Sequence, residues 1–128
     1  MHEKQIEIRW RDLDAYGHVN NAVYLTYLEE ARDEWLERTL DSADAAWDYV
    51  IARVAIDFRR ELTQADDEVV ARCRLARVGN SSLTTREELF VGNELAAEAD
   101  VVLVARDRAS GRSRPLAEAE RAAFERAL

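Results

Sequence analysis

Cysteine is almost absent from this 128-residue chain. Cys73 stands alone, so neither an intramolecular disulfide nor a cysteine-built zinc site can form, and a reducing, cytoplasmic location is expected. Proline occurs once and glycine four times, which leaves little material for a flexible linker. No window approaches the roughly eighteen apolar residues of a membrane span. The opening segment, "MHEKQIEIRW", is charged and strand-like and lacks the apolar centre of a signal peptide, so no membrane partner is expected. Lysine is limited to Lys4 among 18 basic residues. Arginine suits phosphate recognition through its planar fork, although biased base composition explains such an excess equally well. The formal net charge of −8 argues against nucleic acid as a partner.

What remains is an ordinary globular composition, 48% hydrophobic, and a length that fits one domain over residues 1–128. Ile6, Ile8 and Trp10 recur at period two and predict a half-buried strand over residues 3–10. From residue 21 to 38 the period becomes helical: Tyr24, Leu28, Ala31 and Trp35 share a stripe with Val23, Tyr27 and Leu36. Asn20 or Asn21 is placed to cap that helix. Alternation returns over residues 49–60, with Ala52, Val54, Ile56 and Phe58 on one face, and over 68–78, 82–91 and 95–107. Gly79-Asn80 and Gly92-Asn93 suit two-residue hairpin turns. Pro115 is placed to open a short final helix.

The order β–α–β–β–β–β, with one long apolar-striped helix and one sheet face to cover, predicts an α+β fold. About five antiparallel strands form a curved sheet wrapped around one central helix, with a short C-terminal helix; this is the hotdog arrangement. Its open sheet edge invites pairing with a second copy.

Chemistry concentrates just before the long helix. In "RDLDAYGHVNNAVYLTYLEEAR", Asp12, Asp14, Gly17, His18, Asn20 and Asn21 crowd the approach to the helix start. A helix N-terminus carries unpaired N–H groups and roughly half a positive charge, which can hold a carbonyl oxygen as charge develops on it. A carboxylate a few residues upstream could then act on the carbonyl carbon or on a water beside it, the minimal equipment for acyl transfer or hydrolysis.

This stretch resembles the signature of the 4-hydroxybenzoyl-CoA thioesterase-like branch of the hotdog superfamily, and also the related acyl-ACP thioesterases. The resemblance implies hydrolysis of an acyl-CoA or acyl-carrier-protein thioester without metal or prosthetic group. It assigns Asp14 as the catalytic base or nucleophile and the backbone amide of Asn21 as the carbonyl-polarising donor. Gly17 matches the family glycine that passes close to substrate. His18 matches the histidine of the acyl-ACP branch, but Tyr16 stands where that branch has Asn, so Asp14 is the preferred centre. Tyr24 is expected in the pocket or core, Arg59 and Arg60 at CoA phosphates, and Ser81 and Ser82 in the turn that relatives place near the thiol arm. The resemblance also implies a homodimer or homotetramer with the site at the subunit interface. A hotdog hydratase or dehydratase and a non-catalytic acyl-CoA-binding module are the alternatives.

Overall fold

A computed structural model describes all 128 residues. Five strands, β1 (His2–Glu7), β2 (Tyr49–Phe58), β3 (Glu68–Val78), β4 (Ser82–Val91) and β5 (Glu94–Ala105), form one antiparallel sheet in the order β1-β3-β4-β5-β2. The long helix α1 (Asn21–Leu40) packs on β1, β3 and β4, and the short α2 (Glu118–Ala127) packs on α1 and β3. Irregularities in register at Ile51/Arg53, Leu75/Arg77 and Leu89/Phe90 interrupt three of the four ladders, and such bulges bend and twist a sheet.

The expected elements are present, with four differences, the first being that the irregularity after Ile51 puts Ile51, not Ala52, on the face of Val54, Ile56 and Phe58. Trp10 does not extend β1: it begins a 3-10 turn, Trp10–Asp12, and is 83% exposed. Asn20, one of the two expected caps, does cap α1, its side-chain oxygen accepting from Ala22 N at 2.9 Å. The β3–β4 connection holds three residues, Gly79 to Ser81, closed by Gly79 N donating to Ser82 O. Gly79 lacks the positive φ that the predicted two-residue turn requires, whereas Gly92 has it, at 57°. Pro115 lies three residues ahead of α2, which begins at Glu118.

Helix α1 buries Tyr24, Tyr27, Leu28, Ala31, Trp35 and Leu36, the predicted stripe, and with them Arg32. Each large apolar side chain so buried contributes about 1.5–3 kcal/mol. Arg32 is there because Glu87 of β4 meets it bidentately: Nε donates to Oε2 at 2.9 Å and Nη2 to Oε1 at 3.0 Å. Thr85 also donates to Glu87, at 2.6 Å, and Cys73 lies opposite Glu87 across the β3–β4 ladder. Burial pushes the Cys73 thiol well above its ordinary pKa, reinforced by the Glu87 charge, which suits an inert packing role.

Phe124 docks α2, stacked on Trp35 and edge-on to Tyr49. Beside it, Glu120 accepts from Arg114, from the Tyr49 hydroxyl and from the Ala117 amide. Burial alone would raise the Glu120 pKa, but these donors outweigh it and bring it down to about 2. A carboxyl whose folded pKa is depressed stabilises the fold above its unfolded pKa and loses that contribution as pH falls through the folded one. Thermal stability should therefore decline from about pH 5 toward pH 2, and Glu120→Gln should flatten that slope in a pH series of melting curves. An unchanged slope would mean that other carboxylates carry it.

Candidate active site

Two backbone hydrogen bonds, which together make up one isolated antiparallel bridge, draw the two sides of the β1–α1 connection together. Asn20 N donates to Asp12 O at 2.9 Å and Asp14 N donates to His18 O at 2.7 Å, which bridges Leu13 to Val19. The chain reverses through Gly17 at φ +82°, a conformation that a residue bearing Cβ adopts only with strain. The short Asp, Gly and Asn residues noted in the sequence are what such a tight reversal requires.

Asp14 sits half-buried in this loop. Its Oδ1 accepts from Tyr16 N at 2.9 Å and His18 N at 3.2 Å, while Oδ2 has no protein partner. The carboxylate is thus held by one oxygen and free at the other. Asp14 and Gly17 border a hollow of about 440 Å³ together with Trp10, Arg11, Leu13 and Ala15.

The start of α1 supplies the complementary group. Ala22 N is taken by the Asn20 side chain and Val23 N by the Asn20 carbonyl, but the Asn21 N–H has no hydrogen-bond partner. It is a free donor at the positive end of a 20-residue helix. Asn21 and Tyr24 border a second hollow, of about 210 Å³, with Phe58, Arg59, Arg60 and Glu61. Tyr24 is fixed there by donating to Arg60 O at 2.8 Å and by an edge-on contact with Phe58. Within one chain the acid and the amide therefore open on separate hollows.

The remaining expected residues divide. The His18 backbone clasps Asp14, but its imidazole turns to Glu61, with Nε2 3.4 Å from Oε2, and makes no bond to the Asp14 carboxylate. Arg59 and Arg60 are at the hollow but already occupied: Arg59 by Glu98 at 3.1 Å, Arg60 by Asp66 through two bonds of 3.0 Å and by Glu94. Both border the Asn21 hollow, where a phosphate would have to compete with these carboxylates for them. Ser81 and Ser82 lie at the β3–β4 turn, the sheet end where α1 finishes, whereas Asn21 lies at the end where β2 finishes and β5 begins. A ten-residue strand at about 3.3 Å per residue separates those ends by roughly 30 Å, so the two serines do not share a site with Asn21 of the same chain.

The sequence reading also missed a contact. The Tyr27 hydroxyl donates to Asp12 Oδ2 at 2.6 Å, and the Arg9 amide and guanidinium donate to the same oxygen. Burial would raise the Asp12 pKa, but these donors, Tyr27 first, hold it below the usual carboxylate range; burial and the bond to Asp12 push Tyr27 far up. The available signal was a tyrosine on an otherwise apolar stripe, whose hydroxyl needs a buried partner. Nowhere do three or more His, Cys, Asp or Glu side chains converge as a metal-ligand set.

Comparison with known proteins bears on the fold and the family. The family described as the Thioesterase-like superfamily matches residues 8–124. A thioesterase from Thermus thermophilus, whose crystal structure is complexed with coenzyme A and zinc, is 36% identical; the match covers 96% of each chain with a TM-score of 0.87. The PA2801 protein of Pseudomonas aeruginosa is 32% identical over 96% of this chain and 97% of its own, with a TM-score of 0.81. The long-chain acyl-CoA thioesterase FadM of Escherichia coli (strain K12) is 39% identical over 70 residues, and this match spans about half of each chain, 50% here and 51% there. By the extent of the family match and by its likeness to full-length relatives of the same fold, this chain belongs to the thioesterase-like superfamily.

Proposed function

We propose that the protein hydrolyses acyl-CoA thioesters, releasing free acid and CoA thiol. The observation that carries the reading is that one carboxylate oxygen of Asp14 and, seven residues later at the start of α1, the backbone N–H of Asn21 are both without a protein partner, although within one chain they border separate hollows. Family membership and the acyl-CoA and CoA ligands named for its relatives support it.

The thioester carbonyl oxygen takes the Asn21 N–H, which strengthens as negative charge grows on that oxygen. Asp14 then acts in one of two ways. As general base it takes a proton from water, the resulting hydroxide adds to the carbonyl carbon, the C–S bond breaks, and the departing sulfur recovers the proton. As nucleophile it forms a mixed anhydride, expels the thiolate, and is regenerated when water cleaves the anhydride. Both consume one water and give the same products. Gly17 lets the loop pass close to the bound thioester, and Tyr24 and Phe58 form the apolar wall beside the amide. His18 serves through its main chain, as a clasp on Asp14.

The site reaches its working form in a dimer, with α1 the central helix of the hotdog arrangement. Strand β2 ends the sheet and carries Ile51, Val54, Ile56 and Phe58 opposite Leu103, Val101, Ala99 and Ala97, the buried residues of β5. They share the core-side face, yet Ile51 and Phe58 are 44% and 46% exposed. A second β2 pairing antiparallel would cover this row and its free edge. It would also bring the partner's opposite sheet end toward the Asn21 hollow, giving substrate contacts from both chains. Ile51→Asp should shift the mass in light scattering to that of one chain and lower turnover; a wild-type protein that is already monomeric at assay concentration would refute the interface.

The direct test of function is a panel of acyl-CoAs with detection of free thiol. Thiol release, with acid as the co-product, supports hydrolysis. A hydroxyacyl product from an enoyl-CoA, or tight binding without turnover, would replace this reading.

A further inference from the structure

We infer that Asp12 and Tyr27 form a positioning pair that sets the Asp14 carboxylate against the start of α1; this inference rests on the proposed role of Asp14. Nothing in the catalytic scheme itself uses either side chain. Both are buried, Asp12 at 5% and Tyr27 at 0% exposure, in a part of the core where an ionised carboxylate needs several donors to remain charged. It has three: Tyr27 Oη at 2.6 Å, Arg9 N at 3.0 Å and Arg9 Nε at 3.3 Å, all on Oδ2.

The connectivity is what makes the pair a positioning device. Asp14 has no bond to the body of the protein: its side-chain and backbone bonds go to Tyr16, Gly17 and His18, inside its own loop. That loop is closed at its neck by the bond between Asp12 O and Asn20 N, one of the two that make the Leu13–Val19 bridge. The Asp12 side chain then anchors the neck to Tyr27, which lies six residues beyond Asn21 on the same helix. The helix therefore holds both reacting groups, Asn21 directly and Asp14 by way of Tyr27, Asp12 and the loop. A charge-assisted bond of this length is directional, so it specifies where the loop sits as well as that it is attached. Val19 N donating to Leu62 O, the bridge of His18 with Thr63 and the approach of its imidazole to Glu61 are the other polar links from loop to body, and all lie on the His18 side of the turn. On the Asp14 side Leu13 packs on the core, and Asp12 is the hydrogen-bonded tie.

Removing the Tyr27 hydroxyl leaves the ring, its packing and the Arg9 donors in place. It should let the loop drift, and misplacement of a reacting group by about 1 Å costs on the order of 10²-fold in rate. The experiment uses the full-length protein and an acyl-CoA that the wild type turns over. Tyr27→Phe is expected to lower kcat by about 10-fold or more while KM stays within about twofold, with melting temperature and oligomeric mass near wild type, because alignment at the transition state rather than binding is lost. Asp12→Asn, whose amide oxygen still accepts from Tyr27, is expected to retain more activity than Asp12→Ala.

The decisive measurement repeats Tyr27→Phe in an Asp14→Asn background. If the tyrosine acts through Asp14, the second substitution adds little to the first; a general loss of structure would multiply the two. Wild-type kcat for Tyr27→Phe, or full multiplicativity in the double variant, overturns the inference and leaves the role of Asp14 intact. Full activity of Asp14→Asn alone overturns both.

Discussion

Asp14→Asn is expected to lower acyl-CoA turnover by at least ~10²-fold, the scale for removing a general base or nucleophile, without unfolding the protein. The substitution is nearly isosteric, and the asparagine side-chain oxygen can still accept from the Tyr16 and His18 amides that Oδ1 now serves. The loop should therefore keep its shape, and circular dichroism and the melting temperature should match wild type. What disappears is the anionic, unpartnered Oδ2, the one oxygen of the residue that the loop does not use. The effect should fall on kcat, since the acyl and CoA portions of the substrate contact other groups. A folded Asp14→Asn protein with wild-type turnover would remove Asp14 from the mechanism and direct attention to Glu61, the carboxylate that borders the Asn21 hollow and approaches His18.

The largest expected loss of stability lies in the buried Arg32–Glu87 pair. Arg32 is 2% exposed and Glu87 0%. Truncating either one to Ala leaves an unpaired charge in the core, and such losses cost about 3–5 kcal/mol. At this chain length that corresponds to a fall in melting temperature of roughly 10 °C or more. The sign of the double replacement separates two explanations. If the charges are tolerated only because they neutralise one another, Arg32→Met with Glu87→Leu should be far milder than either single truncation, because a well-packed apolar pair is often neutral or better. If Thr85 and Cys73 also depend on Glu87 for their hydrogen bonds, the double variant should remain clearly destabilised, since the Thr85 hydroxyl would then be buried without a partner. Chemical denaturation of the three variants decides between these outcomes, and losses that add in an Arg32→Ala, Glu87→Ala double variant would show that the pair is not coupled.

Local rules reached far into this protein. The helical stripe from Tyr24 to Leu36 is buried as its period requires, because a residue's face on a helix follows from position alone. The Gly92-Asn93 turn formed as expected because positive φ is a property of one residue. The concentration of polar side chains ahead of α1 marked the loop that now presents Asp14 and leads to the free Asn21 amide.

Pairings distant in sequence were decided by the tertiary structure. No feature of β1 specifies β3 as its neighbour, nor does β2 announce that it will cross to the far side of β5 and end the sheet with an exposed apolar row. Arg32 reads as one more charge on a helix surface, and only its meeting with Glu87, 55 residues away, makes it a core residue. Arg59 and Arg60 look like free cations in the sequence, and the fold brings Glu98, Asp66 and Glu94 to them. The sequence by itself determined the periodicities, the turn at Gly92 and the kind of chemistry placed before α1, because each depends on neighbours along the chain. Only the tertiary structure decided which charges are satisfied, which edge is open and how Asp14 is anchored, because hydrogen bonds and ion pairs depend on distances that folding alone sets.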